Sequence, residues 1–124
     1  MTATTTGRGG AAAGGVRTWT AVFAGIALWL IHLTAASALA VTVCDHPATE
    51  WLIHALTVVT AAATGLAVHR SWLLTRAAGD ADEEQAEPAG RARFLGRFGI
   101  ITGVASIVLI VAEGAYVPFL AGCR

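Results

Sequence analysis

Apolar residues occupy this chain in three long blocks rather than at every second, third or fourth position. They run from Thr18 to Val43, from Trp51 to Trp72 and from Phe98 to Ala121. Each is long enough to cross about 30 Å of hydrocarbon, which takes roughly 20 mostly apolar residues. None contains lysine, aspartate or an arginine in its interior. A soluble three-helix bundle would need a polar face on every helix, and these helices are apolar nearly all round. The pattern predicts an all-α membrane protein with three transmembrane helices. Its expected layout is a disordered tail over 1–17, a first span over 18–43, a loop over 44–50, and a second helix over 51–76. A charged connection over 77–93 and a third span over 94–122 complete it.

Composition sharpens this picture. Of 124 residues, 56% are hydrophobic and 13% charged, with a mean hydropathy of +0.66, whereas soluble domains carry roughly 25% charged residues. Such a chain is too apolar for a disordered polypeptide. Eight basic residues balance eight acidic ones, so no net positive field favours nucleic acid. The partners expected are the lipid bilayer and other membrane-protein subunits.

The charges are nevertheless sorted by position. Arg8 and Arg17 precede the first span, and Arg70, Arg76, Arg91, Arg93 and Arg97 surround the second connection, while the first connection contains no arginine. Because cytoplasmic loops retain Arg and Lys, the expectation is a cytoplasmic N-terminus and an outer C-terminus in a multi-pass bacterial inner membrane protein. The second connection also holds Asp80, Asp82, Glu83, Glu84 and Glu87, read as a solvated linker, with a docking tab for a basic partner as the alternative. An alternative for the first span is a secretory signal peptide with its cleavage site in Ala36-Ser37-Ala38-Leu39-Ala40. Its apolar run of about twenty residues exceeds the roughly 7–15 of such peptides.

Cys44 follows the first span and Cys123 the third, both at the expected outer face, where disulfides persist. A bridge between them requires neighbouring helix ends and would contribute on the order of 4–5 kcal/mol in the chain-entropy account. Unpaired thiols, or a metal or redox site, are the alternatives.

If the cysteines mark one level, depth follows from a rise of about 1.5 Å per residue. His32 then lies about 18 Å below Cys44 and Glu113 about 15 Å below Cys123, within a helical turn of each other. Ionisable groups at that depth usually face the bundle interior and find polar partners. Stepping back from Glu113 by three and four gives Ile110, Ser106, Gly103 and Gly99, a face that lets helix backbones approach. Thr57, Thr60, Ala61, Thr64 and Gly65 form a comparable stripe on the second span, and Gly25, Trp29, Ala35 and Ala36 surround His32 on the first. His32 and Glu113 therefore read as an interhelical clasp or, alternatively, as part of a proton or ligand path. His54 lies nearer the outer side, which separates it from His32 by roughly 10 Å and argues against a bis-histidine haem.

Cys44-Asp45-His46 lacks repeated metal-ligand spacing, and neither a metal nor another cofactor is expected. His69 adjoins Arg70 at the membrane border. Trp19, Trp51 and Trp72 fall where interfacial anchors belong, and Pro118 falls in the last turn of the third span, where neighbouring helices tolerate a kink. No nucleophile elbow, zinc-protease motif or phosphate loop is present, so a non-enzyme is expected. Three spans are too few for an inverted-repeat transporter within one chain.

Trp29-x-x-His32, Cys44, Leu52-x-His54 and the closing Pro118 and Cys123 resemble small three-span bacterial membrane proteins encoded beside cytochrome c oxidase genes. The resemblance implies an accessory or assembly role in a respiratory complex. A small oligomeric proton or ion channel is the alternative, and a haem- or metal-binding redox protein a further one.

Overall fold

A computed structural model describes the backbone of residues 6–79 and 86–120, and the side chains of 15–77, 79, 90–117 and 119. Three helices account for almost all of it: α1 (Thr6–Ala40), α2 (Ala48–Gly79) and α3 (Ala86–Leu120). There is no strand among the described residues. Within these helices, Gly15–Ala40, Ala48–Ala77 and Gly90–Val117 are long and apolar enough to cross a membrane.

Helix ends depart from the sequence expectation at several points. α1 begins at Thr6, so the tail expected to be disordered through residue 17 is helical over most of its length. Ala11, Ala12 and Ala13 are the best helix formers, and adding a residue to an existing helix avoids the cost of nucleation. At its other end α1 stops at Ala40, short of Val43, where the β-branched run Val41-Thr42-Val43 lowers helix propensity. The Thr42 hydroxyl donates to the Leu39 carbonyl at 2.8 Å, and the Thr42 N–H donates to the same carbonyl at 3.0 Å. The connection thus becomes a tight turn over 41–47, ahead of the expected 44–50. Behind Pro47, α2 starts with Glu50 in its first turn, a favourable place for a negative charge. The expected connection over 77–93 shrinks as well. α2 persists to Gly79 and α3 starts at Ala86, with Pro88 in the first turn, where its missing N–H breaks no helical bond. Residues 80–85 lie outside the described residues.

All three helix pairs touch, and their glycines set the register. A Cβ on Gly25 would lie 3.0 Å from the Gly103 Cα, and one on Gly99 would lie 3.3 Å from the Val22 Cα. α1 and α3 therefore run parallel. Gly99 also meets Ser71, Gly103 meets Val68 and Gly114 meets Thr57, a descending series that makes α2 antiparallel to both.

The interior is small and polar. Buried positions on α2 are Thr49, Ile53, Thr60, Thr64, Ala67 and Ser71, and those on α1 include Val22, His32 and Ala36. Along α3 the series is Gly96, Gly99, Gly103, Ser106, Ile110 and Gly114. Alternating steps of three and four give each helix one continuous inward seam. Buried hydroxyls return to carbonyls one turn back, Thr60 to Leu56 at 2.7 Å, Thr64 to Thr60 at 2.7 Å and Ser106 to Thr102 at 2.7 Å. Hydroxyls satisfied in this way can sit in an apolar setting without a desolvation penalty.

Bulk apolar residues point the other way, with Leu66 at 67%, Ile101 at 69% and Val108 at 61% exposure. Only 22%, 17% and 28% of the most apolar window in each span is buried within the chain. Contiguous apolar surface on that scale needs lipid or other helices to cover it. The chain is an all-helical protein whose three apolar helices fit an integral membrane protein.

Candidate functional site

Halfway along the bundle, one polar cluster joins all three helices. His32 projects from the inner seam of α1 and is completely buried. Its Nδ1 lies 3.4 Å from Glu113 Oε2 on α3, and its Nε2 lies 3.0 Å from Thr57 Oγ1 on α2. Trp29, one turn before His32, donates its indole N–H to Glu113 Oε1 at 3.0 Å. Both carboxyl oxygens of Glu113 and both ring nitrogens of His32 are thereby engaged. The Glu113 side chain remains 25% exposed while His32 has no exposure.

Local sequence explains the convergence. Trp29 and His32 are three residues apart on one helix face. Gly114 supplies the room on α3: a Cβ there would lie 2.6 Å from Thr57 Cγ2, so the missing side chain lets Thr57 approach. The Thr57 hydroxyl also lies 2.8 Å from the Ile53 carbonyl.

Proton bookkeeping narrows the chemistry. A threonine hydroxyl has one proton to donate. If Thr57 gives it to Ile53, His32 Nε2 must carry hydrogen and donate to Thr57. Nδ1 then either accepts a proton from a neutral Glu113 or, in an imidazolium, donates to a carboxylate. These two arrangements contain the same number of protons and leave the pair with no net charge. If Thr57 instead donates to Nε2, the neutral ring donates from Nδ1 to ionised Glu113, leaving one negative charge between apolar helices. Such a charge is expensive at this depth unless polar partners meet it, and here Trp29 and His32 both lie against the carboxyl.

His54 lies apart from this cluster. Its Nε2 is 3.9 Å from Glu50 Oε1 one turn away on the same helix, with the two side chains 43% and 50% exposed, and its ring meets Trp51 edge-on. Because both nitrogens of His32 are engaged, no atom of that ring is left for a ligand shared with His54. Among the described residues, no group of three or more His, Cys, Asp or Glu gathers at one place. His46 is exposed in the turn, and His69 stacks on Trp72, with Arg76 over the same indole at 4.7 Å.

The helix-packing positions divide. Gly99 and Gly103 face the other helices as described, and Ser106 is buried with its hydroxyl 3.5 Å from the position of a Cβ on Gly25. Gly65 is corrected: a Cβ there would meet nothing within 4 Å, because the inward row of α2 passes through Thr64 and Gly65 is turned about 100° away. Missing from the sequence reading were Gly114 and the roles of Trp29 and Thr57 as partners. Trp29 carried a usable signal, since an indole N–H in an apolar span needs an acceptor. Cys44 follows α1 in an exposed turn, and no cysteine among the described residues is free. Cys123 and the Pro118 side chain lie outside the described residues.

No family model matches the chain, and neither the curated proteins nor the solved structures searched provide a match.

Proposed function

We propose that this chain is a non-catalytic accessory or assembly protein of a respiratory membrane complex, with a haem-copper cytochrome c oxidase as the partner. The observation that carries the accessory role is the Trp29–Glu113–His32–Thr57 network around the buried His32, which fastens three helices while their bulky apolar surface stays outward. A fastened bundle with an apolar exterior suits lateral packing against other membrane subunits. The choice of oxidase is supported by the resemblance carried by Trp29, His32, Cys44, Leu52, His54, Pro118 and Cys123. The arginine distribution supports an inner-membrane orientation with the N-terminus in the cytoplasm. In that orientation Cys44 and Cys123 share the outer face and form a disulfide. Intact mass before and after reduction tests the bridge.

Co-purification in mild detergent tests the accessory role. The tagged chain is expected to bring down haem-copper oxidase subunits with their characteristic absorbance, and recovery of free chain alone would overturn the reading. One observation favours a second reading, conduction by an oligomer: the Glu113 carboxyl is partly exposed and lies 3.4 Å from His32 Nδ1. Glu113→Gln in liposomes separates the two readings, because a proton flux unchanged by this substitution excludes conduction through the cluster.

A further inference from the structure

A groove of about 820 Å³ opens between α1 and α2 at the arginine-bearing end of the bundle. Arg17 and Arg70 border it, and Ala21, Ala24, Ala63 and Leu66 form much of its apolar wall. From Arg17 to Ala24, and from Arg70 to Ala63, each helix descends about 10 Å towards the middle of its span. The alanines leave the volume open, and among the described residues no acidic side chain lines it. Among the described residues neither arginine is in an ion pair, the pairs there being His32–Glu113 and His54–Glu50. Long arginine side chains reach along apolar surface to place their charge at the headgroup level.

The groove therefore asks for a ligand with an anion at one end and a hydrocarbon chain at the other. We propose that it binds an anionic glycerophospholipid, with the phosphate held by Arg17 and Arg70 and an acyl chain lying against Ala24 and Ala63. Basic pockets between membrane helices recognise lipids of this charge. The acidic stretch from Asp80 to Glu84 follows α2 closely and is the competing occupant. It would neutralise the arginines but has no apolar side chain long enough to cover the alanine wall. The site rests on the membrane reading and is independent of the identity of any partner complex.

The full chain, reconstituted in nanodiscs of equal parts phosphatidylcholine and phosphatidylglycerol, is released and weighed by native mass spectrometry. Phosphatidylglycerol adducts are expected to exceed phosphatidylcholine adducts by on the order of tenfold. Arg17→Gln with Arg70→Gln should remove the preference, while Arg93→Gln with Arg97→Gln on α3 should keep it. Ala24→Leu with Ala63→Leu retains both charges but fills the wall, and should also lose the lipid. Circular dichroism of each variant distinguishes a lost site from a lost fold. Equal retention of the two lipids, or an unchanged preference in the Arg17/Arg70 variant, overturns the proposal. So does a preference that emerges only when Asp80, Asp82, Glu83 and Glu84 are neutralised, which would assign the groove to the chain's own acidic segment. A chain that fails to enter nanodiscs at all would overturn the membrane reading together with the site.

Discussion

Gly25 of α1 and Gly103 of α3 meet with no side chain between them: a Cβ on Gly25 would lie 3.0 Å from the Gly103 Cα and 3.5 Å from its nitrogen. Backbones this close gain dispersion contacts along the crossing, which in lipid replace the hydrophobic drive available in water. The two glycines differ in what a methyl group would strike. At Gly25 it meets backbone, which cannot give way, whereas at Gly103 it meets the end of the Val68 side chain.

Gly25→Ala should destabilise the bundle by about 1–3 kcal/mol as overpacking does. Gly103→Ala should cost at least as much, because its methyl would overlap Val68, whose β-branched side chain has one strongly preferred rotamer in a helix. Reversible unfolding in mixed detergent micelles measures both, and the reverse order would contradict the contact geometry.

Coupling across the polar cluster is testable by a double-mutant cycle on His32→Ala and Glu113→Ala. Interhelical hydrogen bonds in membranes contribute about 0.6 kcal/mol on average and up to about 1.7. A coupling energy in that range is expected. Simple additivity of the two changes would mean that the 3.4 Å approach contributes no stability.

Thr57 offers a sharper test, since valine preserves its shape and removes only the hydroxyl. Thr57→Val leaves His32 Nε2 buried beside a methyl group and should cost about 1–3 kcal/mol, the usual penalty for an unsatisfied polar group. Thr57→Ser keeps the hydroxyl and should be the milder change. Thermal unfolding monitored by circular dichroism ranks the two variants.

Ser71 should respond in the opposite direction. Its side chain is fully buried against α3, and its Oγ has no hydrogen-bond partner. Removing a buried, unpaired hydroxyl relieves desolvation. Ser71→Ala is expected to leave stability unchanged or raise it by about 1 kcal/mol, and a clear loss in the same unfolding assay would reveal a partner for the hydroxyl.

Three spans and the shared level of His32 and Glu113 were legible in the sequence, because span length and rise per residue follow directly from residue counting. Counting gives depth but not the direction each helix turns, so it did not assign Trp29 to Glu113 or Thr57 to His32. Spacing alone placed Gly65 with Thr64, and only the rotation of α2 about its axis separates them. Gly114 adjoins Glu113 but belongs to the row that runs forward from Ile110, four residues before it, and steps back from the carboxyl do not reach it. The early start of α1 depended on the span behind it, a context that the polar composition of the tail does not display.

Glycine, serine and threonine line the contacts of this bundle while Leu66, Ile101 and Val108 look outward, which inverts the substitution rules of a water-soluble protein. Swapping one aliphatic residue for another on the outside exchanges hydrocarbon against hydrocarbon, whereas a single added methyl inside pushes two helices apart. The spacing of the helices is thus encoded by atoms that the inner side chains lack.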